Sequence, residues 1–515
     1  MSLLSLDTDI LLYLLHSSDV DTVVRCSQVC RALHALSRTK HVWLGLIGSL
    51  RDRNLIELPP DKLLVDYSVD DLVASVKRVV LGPAVWRSGS AQPSSGSGHG
   101  GPVLLPLRTY AINTRLPEDV AAGIEQNPSR NASLLPGGRY ILLRRMGGQH
   151  EIWDMRTSSR IWSHIQGPHV ACEFSDSGRE ILVACYEMSM RPPVVTLTKV
   201  SLHGEDPAIV CSFQLPQICK AGWEVNIGLS RHLIALEVET ASAQMQRSHR
   251  RILLVNWLSR TFTVLWGRFV PRTLNLTTDY LFVLSTHTTD SQASILTYSL
   301  AELSADTRRW QRLPSLATSS SLAAFGILRS AASEETPEPS PLSYLTQTIT
   351  ASRRSSVADS GHFSLAVHSS VLHANTYLLS VFHSGHDATY LNGRLVYNSE
   401  IIFHRYHVHR PLNGSGPSIK RLSASTHHSL SLVSLDLNSS ITKGFLSYAG
   451  YARQTPGAFG AQWTRLFYGP LGHRTPRQVQ SPLGPRSSAC LMGRYSPVMV
   501  GCSEENMQVE IHFLV

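Results

Sequence analysis

The stretch "LPGGRYILLRR", residues 135–145, joins a glycine-rich turn to a run of strand-forming residues. Pro and Gly favour a tight turn, and the apolar residues that follow favour a buried strand. Three later stretches show the same pattern: "SDSGREILVAC" (175–185), "GLSRHLIALEV" (228–238) and "LTTDYLFVLST" (276–286). Their apolar triplets begin at Tyr140, Ile181, Leu233 and Leu281, so successive stretches are 41, 52 and 48 residues apart.

Further strands follow within the repeats, as in "HEIWDMRTSSRIW" (150–162) and "RILLVNWLSRTFTVLW" (251–266). A period of roughly 40–50 residues with several short strands per unit is typical of the blades of a β-propeller. We therefore expect a degenerate propeller of six or seven blades over residues 103–515. An acidic, proline-rich insertion at 330–360 is expected to be disordered.

The N-terminal region has a different pattern. Within residues 5–50, apolar residues recur at helical spacing between polar breaks, which predicts four short helices, the first capped by Asp7 or Ser5. A capping-box sequence begins a further predicted helix over 69–81. The fold class is therefore α plus all-β, with a helical module at 1–50, a helical extension at 51–87, a Gly/Ser-rich linker or loop at 88–102 and the propeller at 103–515.

The helical series resembles the F-box, the motif by which ubiquitin-ligase receptors dock onto the Skp adaptor of a cullin scaffold. The family usually opens with Leu-Pro, and here Asp7 stands in the place of the proline. The chain as a whole looks like a large group of F-box proteins from mushroom-forming fungi with propeller-like C-terminal regions. The alternative is an ordinary helical subdomain packed on the β region. The resemblance implies adaptor binding by Leu6, Ile10, Leu11, Leu14, Asp19, Val24, Val29, Cys30, Leu33, Leu36 and Trp43.

The resemblance also implies a function: a non-catalytic receptor that binds the Skp-type adaptor, through it a cullin, and an unknown target protein. One alternative is an F-box assembly or scaffold protein that acts outside ubiquitination. Another is a nucleic-acid-associated propeller that uses the basic segment 401–500, where eleven Lys and Arg face a single acid, Asp436. We favour charges spread over loops, and a protein partner over nucleic acid. Candidate target-binding residues are Arg405, Arg410, Arg453, Arg465 and Arg474.

Catalytic and cofactor motifs are lacking in the sequence. It has no nucleophile elbow, HExxH or phosphate loop, so no enzyme activity is expected. The formal GxGxxG at Gly96, Gly98 and Gly101 lies in the linker, without the strand and helix that dinucleotide binding requires, so no cofactor is expected. No metal is expected either, since the later histidines lack Cys or acidic partners at ligand spacing. These histidines are His383, His386, His404, His407, His409, His427 and His428.

The eight cysteines are scattered, and no apolar run reaches the length of a membrane span. The N-terminus also lacks the basic start of a signal peptide. The sequence therefore predicts reduced thiols in the cytoplasm or nucleus. Cys26 and Cys30 are one helical turn apart, and we expect Cys30 to pack inside the third helix rather than to bind metal.

Overall fold

The computed structural model has an N-terminal helical part followed by antiparallel sheets. Five helices form the first part: α1 (Thr8–His16), α2 (Val20–Cys26), α3 (Arg31–Ser37), α4 (Lys40–Asp52) and α5 (Val69–Leu81). The structure describes residues 6–82, 106–114, 129–145, 148–165, 169–175, 178–187, 193–215, 227–240, 249–265, 270–286, 292–313, 347–350, 362–391, 394–410, 418–431, 444–446, 448, 450–455, 463–468, 477–479, 487–492, 495, 498–503 and 508–514. The expected linker at 88–102 lies outside them.

Side-chain caps fix where the helices begin. The Asp7 carboxylate accepts a hydrogen bond from the backbone N of Asp9 at 3.3 Å, so Asp7 caps α1. Asp19 caps α2 in the same way, through the backbone N of Thr22 at 2.8 Å. Ser68 begins α5 with a capping box, and the predicted bounds 69–81 are confirmed.

Helices α1, α2, α4 and α5 share one core, and the partly buried Leu36 of α3 packs against it. Val42, Ile47 and Leu72 are fully buried, and they join α4 to α5. Leu55 and Ile56, between these helices, are buried in the same cluster. A core shared across residue 50 means that the predicted module and extension form one body, which we call the helical unit (residues 6–82).

Seven antiparallel sheets, numbered in chain order, follow within the described residues. Sheet 1 contains β2 (Ser129–Leu134), β3 (Tyr140–Arg145), β4 (Gln149–Asp154) and β5 (Ser159–Ile165). Sheet 2 contains β6 (His169–Phe174), β7 (Glu180–Glu187), β8 (Val194–Ser201) and β9 (Ala208–Gln214). Sheet 3 contains β10 (Ile227–Ser230), β11 (Leu233–Thr240), β12 (His249–Asn256), β13 (Thr261–Leu265) and β17 (Gln311–Arg312). Sheet 4 contains β14 (Val270–Leu276), β15 (Tyr280–Thr286), β16 (Gln292–Ser299) and β18 (Gln347–Thr350).

The remaining three sheets complete the β region. Sheet 5 contains β19 (His362–Ser369), β20 (Thr376–Leu391), β21 (Arg394–His409) and β22 (Ser418–Ser431). Sheet 6 contains β23 (Gly444–Leu446), β24 (Gly450–Thr455), β25 (Trp463–Tyr468) and β26 (Arg477–Val479). Sheet 7 contains β27 (Ser487–Met492), β28 (Val498–Ser503), β29 (Gln508–Leu514) and, as its outer strand, β1 (Pro106–Asn113).

The sheets pack face to face in chain order. Apolar clusters join sheet 1 to 2, 2 to 3, 3 to 4 and 4 to 5, and another cluster joins sheet 7 back to sheet 1. The first strand of sheet 6 contacts the first strands of sheets 5 and 7. Because β1 pairs with β29, the chain completes its last sheet with its first strand. This order and packing are propeller-like, with seven sheets in the described residues.

The four similar stretches occupy equivalent places. Each forms the turn after the first strand of a sheet and the second strand itself: β3, β7, β11 or β15. Within the insertion expected to be disordered, residues 347–350 form β18 instead, while 330–346 and 351–360 lie outside the described residues. Between β16 and β18 the chain crosses to sheet 3, through the short helix α6 (Leu300–Ala305) and β17.

Candidate functional site

The helical unit carries several exposed apolar side chains. On α1, Ile10 and Leu14 lie one turn apart and are exposed, whereas the neighbouring Leu11 and Leu15 are buried. Groups of exposed apolar residues are typical of protein-binding surfaces, and here they belong to α1, α2 and the turn after α2. We call the set the N-terminal apolar patch; its members and their exposed fractions are Ile10 48%, Tyr13 70%, Leu14 45%, Val24 40% and Val29 72%.

The residues predicted to bind an adaptor divide into two groups. Ile10, Leu14, Val24 and Val29 are exposed and belong to the N-terminal apolar patch. Tyr13 was missed, because one α-helical turn of mixed residues does not reveal which side faces solvent. The other predicted residues form or border the core: Leu11, Leu33 and Trp43 are buried, and Leu6, Asp19, Cys30 and Leu36 are partly buried.

Two of the partly or fully buried residues have structural roles. The indole N–H of Trp43 donates to the carbonyl oxygen of Ser37 at 2.8 Å, which ties α4 to the end of α3. Cys30 precedes α3 in extended conformation (φ −158°), so the expectation that it packs inside that helix is wrong. Its thiol has no partner cysteine in a disulfide.

The helical unit packs on the β region. Tyr448 and Tyr495 are buried in the same core as the helices, together with Val371 and Leu378 of sheet 5. Backbone hydrogen bonds reinforce this contact, as the N of Asp21 donates to the carbonyl oxygen of Leu372 at 3.1 Å. The helical unit is therefore held by sheets 5, 6 and 7.

Sheet 1 also contacts the helical unit. The α-carbon of Gly138 lies against the segment after α4: a methyl group added there would meet Cβ of Glu57 at 3.0 Å and N of Leu58 at 3.3 Å. The buried Glu57 in turn accepts from the backbone N of Tyr495 at 3.4 Å. In sheets 1, 5, 6 and 7 these contacts come from the turn between the first and second strands or, for Leu378, from the start of the second strand, so the helical unit lies against the same end of four sheets.

The candidate target-binding arginines do not form one described surface. Arg405 is only 2% exposed, and its guanidinium donates to the carbonyl oxygen of Tyr448. It therefore positions a residue that contacts the helical unit and does not face a target. Arg410 is half-exposed and pairs with Asp279 of sheet 4 at 2.5 Å. Arg453 and Arg465 are cross-strand partners in sheet 6, and Arg474 lies outside the described residues.

His404 and His407 of sheet 5 are partly buried, whereas His409 is exposed. Burial lowers the pKa of His404 to about 4, with Arg421 contributing. Burial likewise lowers the pKa of His407 to about 4, with His373 as the next cause. Over the described residues, no group of three or more His, Cys, Asp or Glu is placed to hold a metal ion. The side chains of His383, His386, His427 and His428 lie outside the described part.

The environment raises the pKa of two thiols in sheet 2. Burial raises the pKa of the Cys185 thiol to about 12, and it raises that of Cys172 still further. Such thiols stay protonated at neutral pH and are poor nucleophiles. None of the helices in the described ranges has the length and apolar composition needed to cross a membrane.

Known proteins give limited comparisons. No protein-family model matches the chain, and no curated protein matches it. The β-propeller domain of Cps50 (Swd1) from Myceliophteria thermophila is similar to 79% of this chain over 100% of its own length, at 12% identity and a TM-score of 0.42. Raptor from Chaetomium thermophilum is similar to 76% of this chain over 28% of its own length, at 8% identity and a TM-score of 0.38. The strand order and packing of the seven sheets are what establish the propeller-like fold.

Proposed function

We propose that this chain is the substrate-recognition subunit of a cullin-based ubiquitin ligase. In this proposal the helical unit docks onto a Skp-type adaptor through the N-terminal apolar patch, and the β region binds a target protein. The observation that carries it is the division of the F-box-like positions into a buried set and an exposed set. Ile10, Leu14, Val24 and Val29 remain exposed, whereas other parts of the helical unit pack on the β region.

The proposed role requires no covalent chemistry by this chain. A receptor raises the effective concentration of its target near the ubiquitin-carrying enzyme, so the gain in reaction rate comes from the position of the target. Contacts such as those of Asp21 with Leu372 and of Glu57 with Tyr495 favour a fixed orientation of the helical unit on the β region. A fixed orientation narrows the range of distances between the bound target and the enzyme, which supports a receptor role.

The test is adaptor binding by the full chain with Leu14→Asp. Leu14 is 45% exposed, and full burial of leucine contributes about 1.5–3 kcal/mol, so loss of its burial costs about 1 kcal/mol. Placing a carboxylate in a dry interface costs roughly 3 kcal/mol more. We therefore expect affinity for purified Skp adaptor, measured by calorimetry, to fall at least about 100-fold. Leu258→Asp makes the same substitution at an exposed leucine of sheet 3, so it is the matched control and should leave adaptor affinity unchanged.

Adaptor affinity unchanged by Leu14→Asp would refute the adaptor assignment. Adding a cullin to the reconstituted mixture separates the ligase role from an assembly role outside ubiquitination. A ternary complex with the cullin supports the ligase role, whereas capture of adaptor that excludes cullin supports the assembly role. A steep dependence of DNA or RNA binding on salt would instead favour the nucleic-acid alternative.

A further inference from the structure

Sheet 3 receives an extra strand at its outer edge. Strands β10 to β13 pair in chain order, and β17 then pairs antiparallel with β13, with Arg312 opposite Thr261 and Gln311 opposite Phe262. Thr261 and Phe262 are the first two residues of β13. An outer edge in this β region therefore binds an extended segment by backbone pairing, which is the mode of recognition by strand addition.

The outer edge of sheet 2 corresponds to this place in sheet 3. β9 is the last strand of sheet 2, and no described strand pairs with its outer side. Its sequence, "AIVCSFQ", has no charged residue and no proline, which are common means of protecting a sheet edge. The first two residues of β9 are Ala208 and Ile209, and both are exposed. They are equivalent to the two residues of β13 that pair with β17.

A β-bulge in β9 places one apolar side chain outside the core. The pairing of β8 with β9 skips Val210, which is the extra residue of the bulge. Val210 and Cys211 pack in the cluster between sheets 2 and 3, whereas Ile209 is 68% exposed. β13 pairs with β12 without a bulge, and its second residue, Phe262, is buried. Bulges re-aim side chains, and this bulge leaves an apolar group at an unpaired edge.

The turn before β9 is acidic. Glu205 and Asp206 are exposed there, and neither forms an ion pair with any residue that the structure describes. The nearby Lys199 of β8 is already paired with Glu180 at 2.6 Å. An antiparallel strand added to β9 would have its C-terminal end beside this turn, the end that Arg312 occupies in β17. Charge complementarity therefore favours a segment whose C-terminal end is basic.

We propose that the outer edge of β9 binds an extended segment of a target protein as a fifth, antiparallel strand of sheet 2. The segment has apolar residues at alternate positions and Lys or Arg at its C-terminal end. Ile209 contacts an apolar side chain of the segment, and Glu205 and Asp206 pair with its basic end. The proposal rests on the proposed function only in naming the partner as a target, since peptide binding can be measured without adaptor.

The test uses three fluorescein-labelled peptides of alternating valine and threonine, with the full-length protein. The first peptide ends in two lysines, the second begins with them, and the third is the first with N-methyl groups on alternate backbone nitrogens. We expect fluorescence anisotropy to show binding of the first peptide and at least about fivefold weaker binding of the second, whose lysines lie away from the acidic turn. The third should not bind, because N-methylation removes the donors of backbone pairing.

Variants of β9 and its turn test the side-chain contacts. Ile209→Glu should weaken binding of the first peptide at least about tenfold, through loss of the apolar contact, although its charge attracts lysine. Ile209→Val is the matched control and should bind within about twofold of the unmodified protein, because it keeps a β-branched apolar side chain. Glu205→Gln combined with Asp206→Asn should remove the preference for the first peptide over the second.

Four results would overturn this edge site: no binding of the first peptide, equal binding of the first two by the unmodified protein, binding of the N-methylated peptide, or binding unchanged by Ile209→Glu. Dimerisation of the protein that Ile209→Glu abolishes would assign the edge to a second copy instead. Ile209→Glu should retain adaptor binding, and Leu14→Asp should retain peptide binding. A failure of the edge site is thereby distinguishable from a failure of the adaptor assignment.

Discussion

Gly138→Ala tests the contact between the helical unit and sheet 1. The new methyl group would meet Cβ of Glu57 at 3.0 Å and its Cα at 3.1 Å, closer than ordinary van der Waals contact. Backbone atoms cannot rotate away, so the helical unit must shift, at a cost of about 1–3 kcal/mol for overpacking. The positive φ of +75° adds about 1 kcal/mol. The expected total is about 2–4 kcal/mol.

Gly178→Ala is the matched control. Gly178 occupies the same turn of sheet 2 with a φ of +63°, but nothing lies within 4 Å of its added methyl group. This variant should lose only the conformational contribution, about 1 kcal/mol. Both variants are compared by thermal unfolding, and hydrogen exchange of the amides of residues 55–58 reports local opening beside sheet 1. Faster exchange there is expected for Gly138→Ala alone.

Equal loss of stability in the two variants, with unchanged hydrogen exchange at residues 55–58, would refute the close contact between Gly138 of sheet 1 and the segment after α4. It would mean that the segment after α4 moves aside without cost. A larger loss for Gly178→Ala would contradict the steric argument itself.

Two further predictions concern the core of the helical unit and the histidines of sheet 5. Trp43→Ala should lower the free energy of unfolding by about 3–5 kcal/mol, because Trp43 is buried. It should weaken adaptor binding only through partial unfolding, so Trp43→Phe should bind adaptor far better than Trp43→Ala. Equal adaptor binding by the two variants would contradict this. Because the folded pKa of His404 and His407 is about 4, below the unfolded value near 6.5, the unfolded chain binds extra protons between these values. Stability present above pH 6.5 is therefore lost as the pH falls towards 4, and the double variant H404N/H407Q should lose less over that range in thermal melts.

The sequence predicted the fold where residues act locally or in repeats. The turn and second strand recur in four stretches, and the capping box sets the start of α5. By contrast, β17 has two residues and carries no periodic signal, so its crossing to sheet 3 depends on tertiary pairing. β18 lies in a polar stretch whose composition favours disorder, and pairing with β16 overrides that preference.

The candidate site was predictable in part for the same physical reason. Helical spacing identifies Leu11 and Leu14 as apolar positions, yet only packing decides that the first is buried and the second exposed. Charge alone suggested Arg405 as a surface residue, but the carbonyl oxygen of Tyr448 satisfies its guanidinium inside the fold.

The pairing of β1 with β29 has a consequence for synthesis of the chain. Thr109 and His512, which are cross-strand partners, are 403 residues apart. At the ordinary translation rate of about 5–20 residues per second, β1 waits roughly 20–80 s on the ribosome for its partner strand. Throughout that time the nascent chain holds an unpaired edge strand and the matching face of sheet 1 is uncovered. A chain that terminates anywhere before β29 would therefore expose β1 as an unpaired edge strand, which chaperones or proteases can recognise.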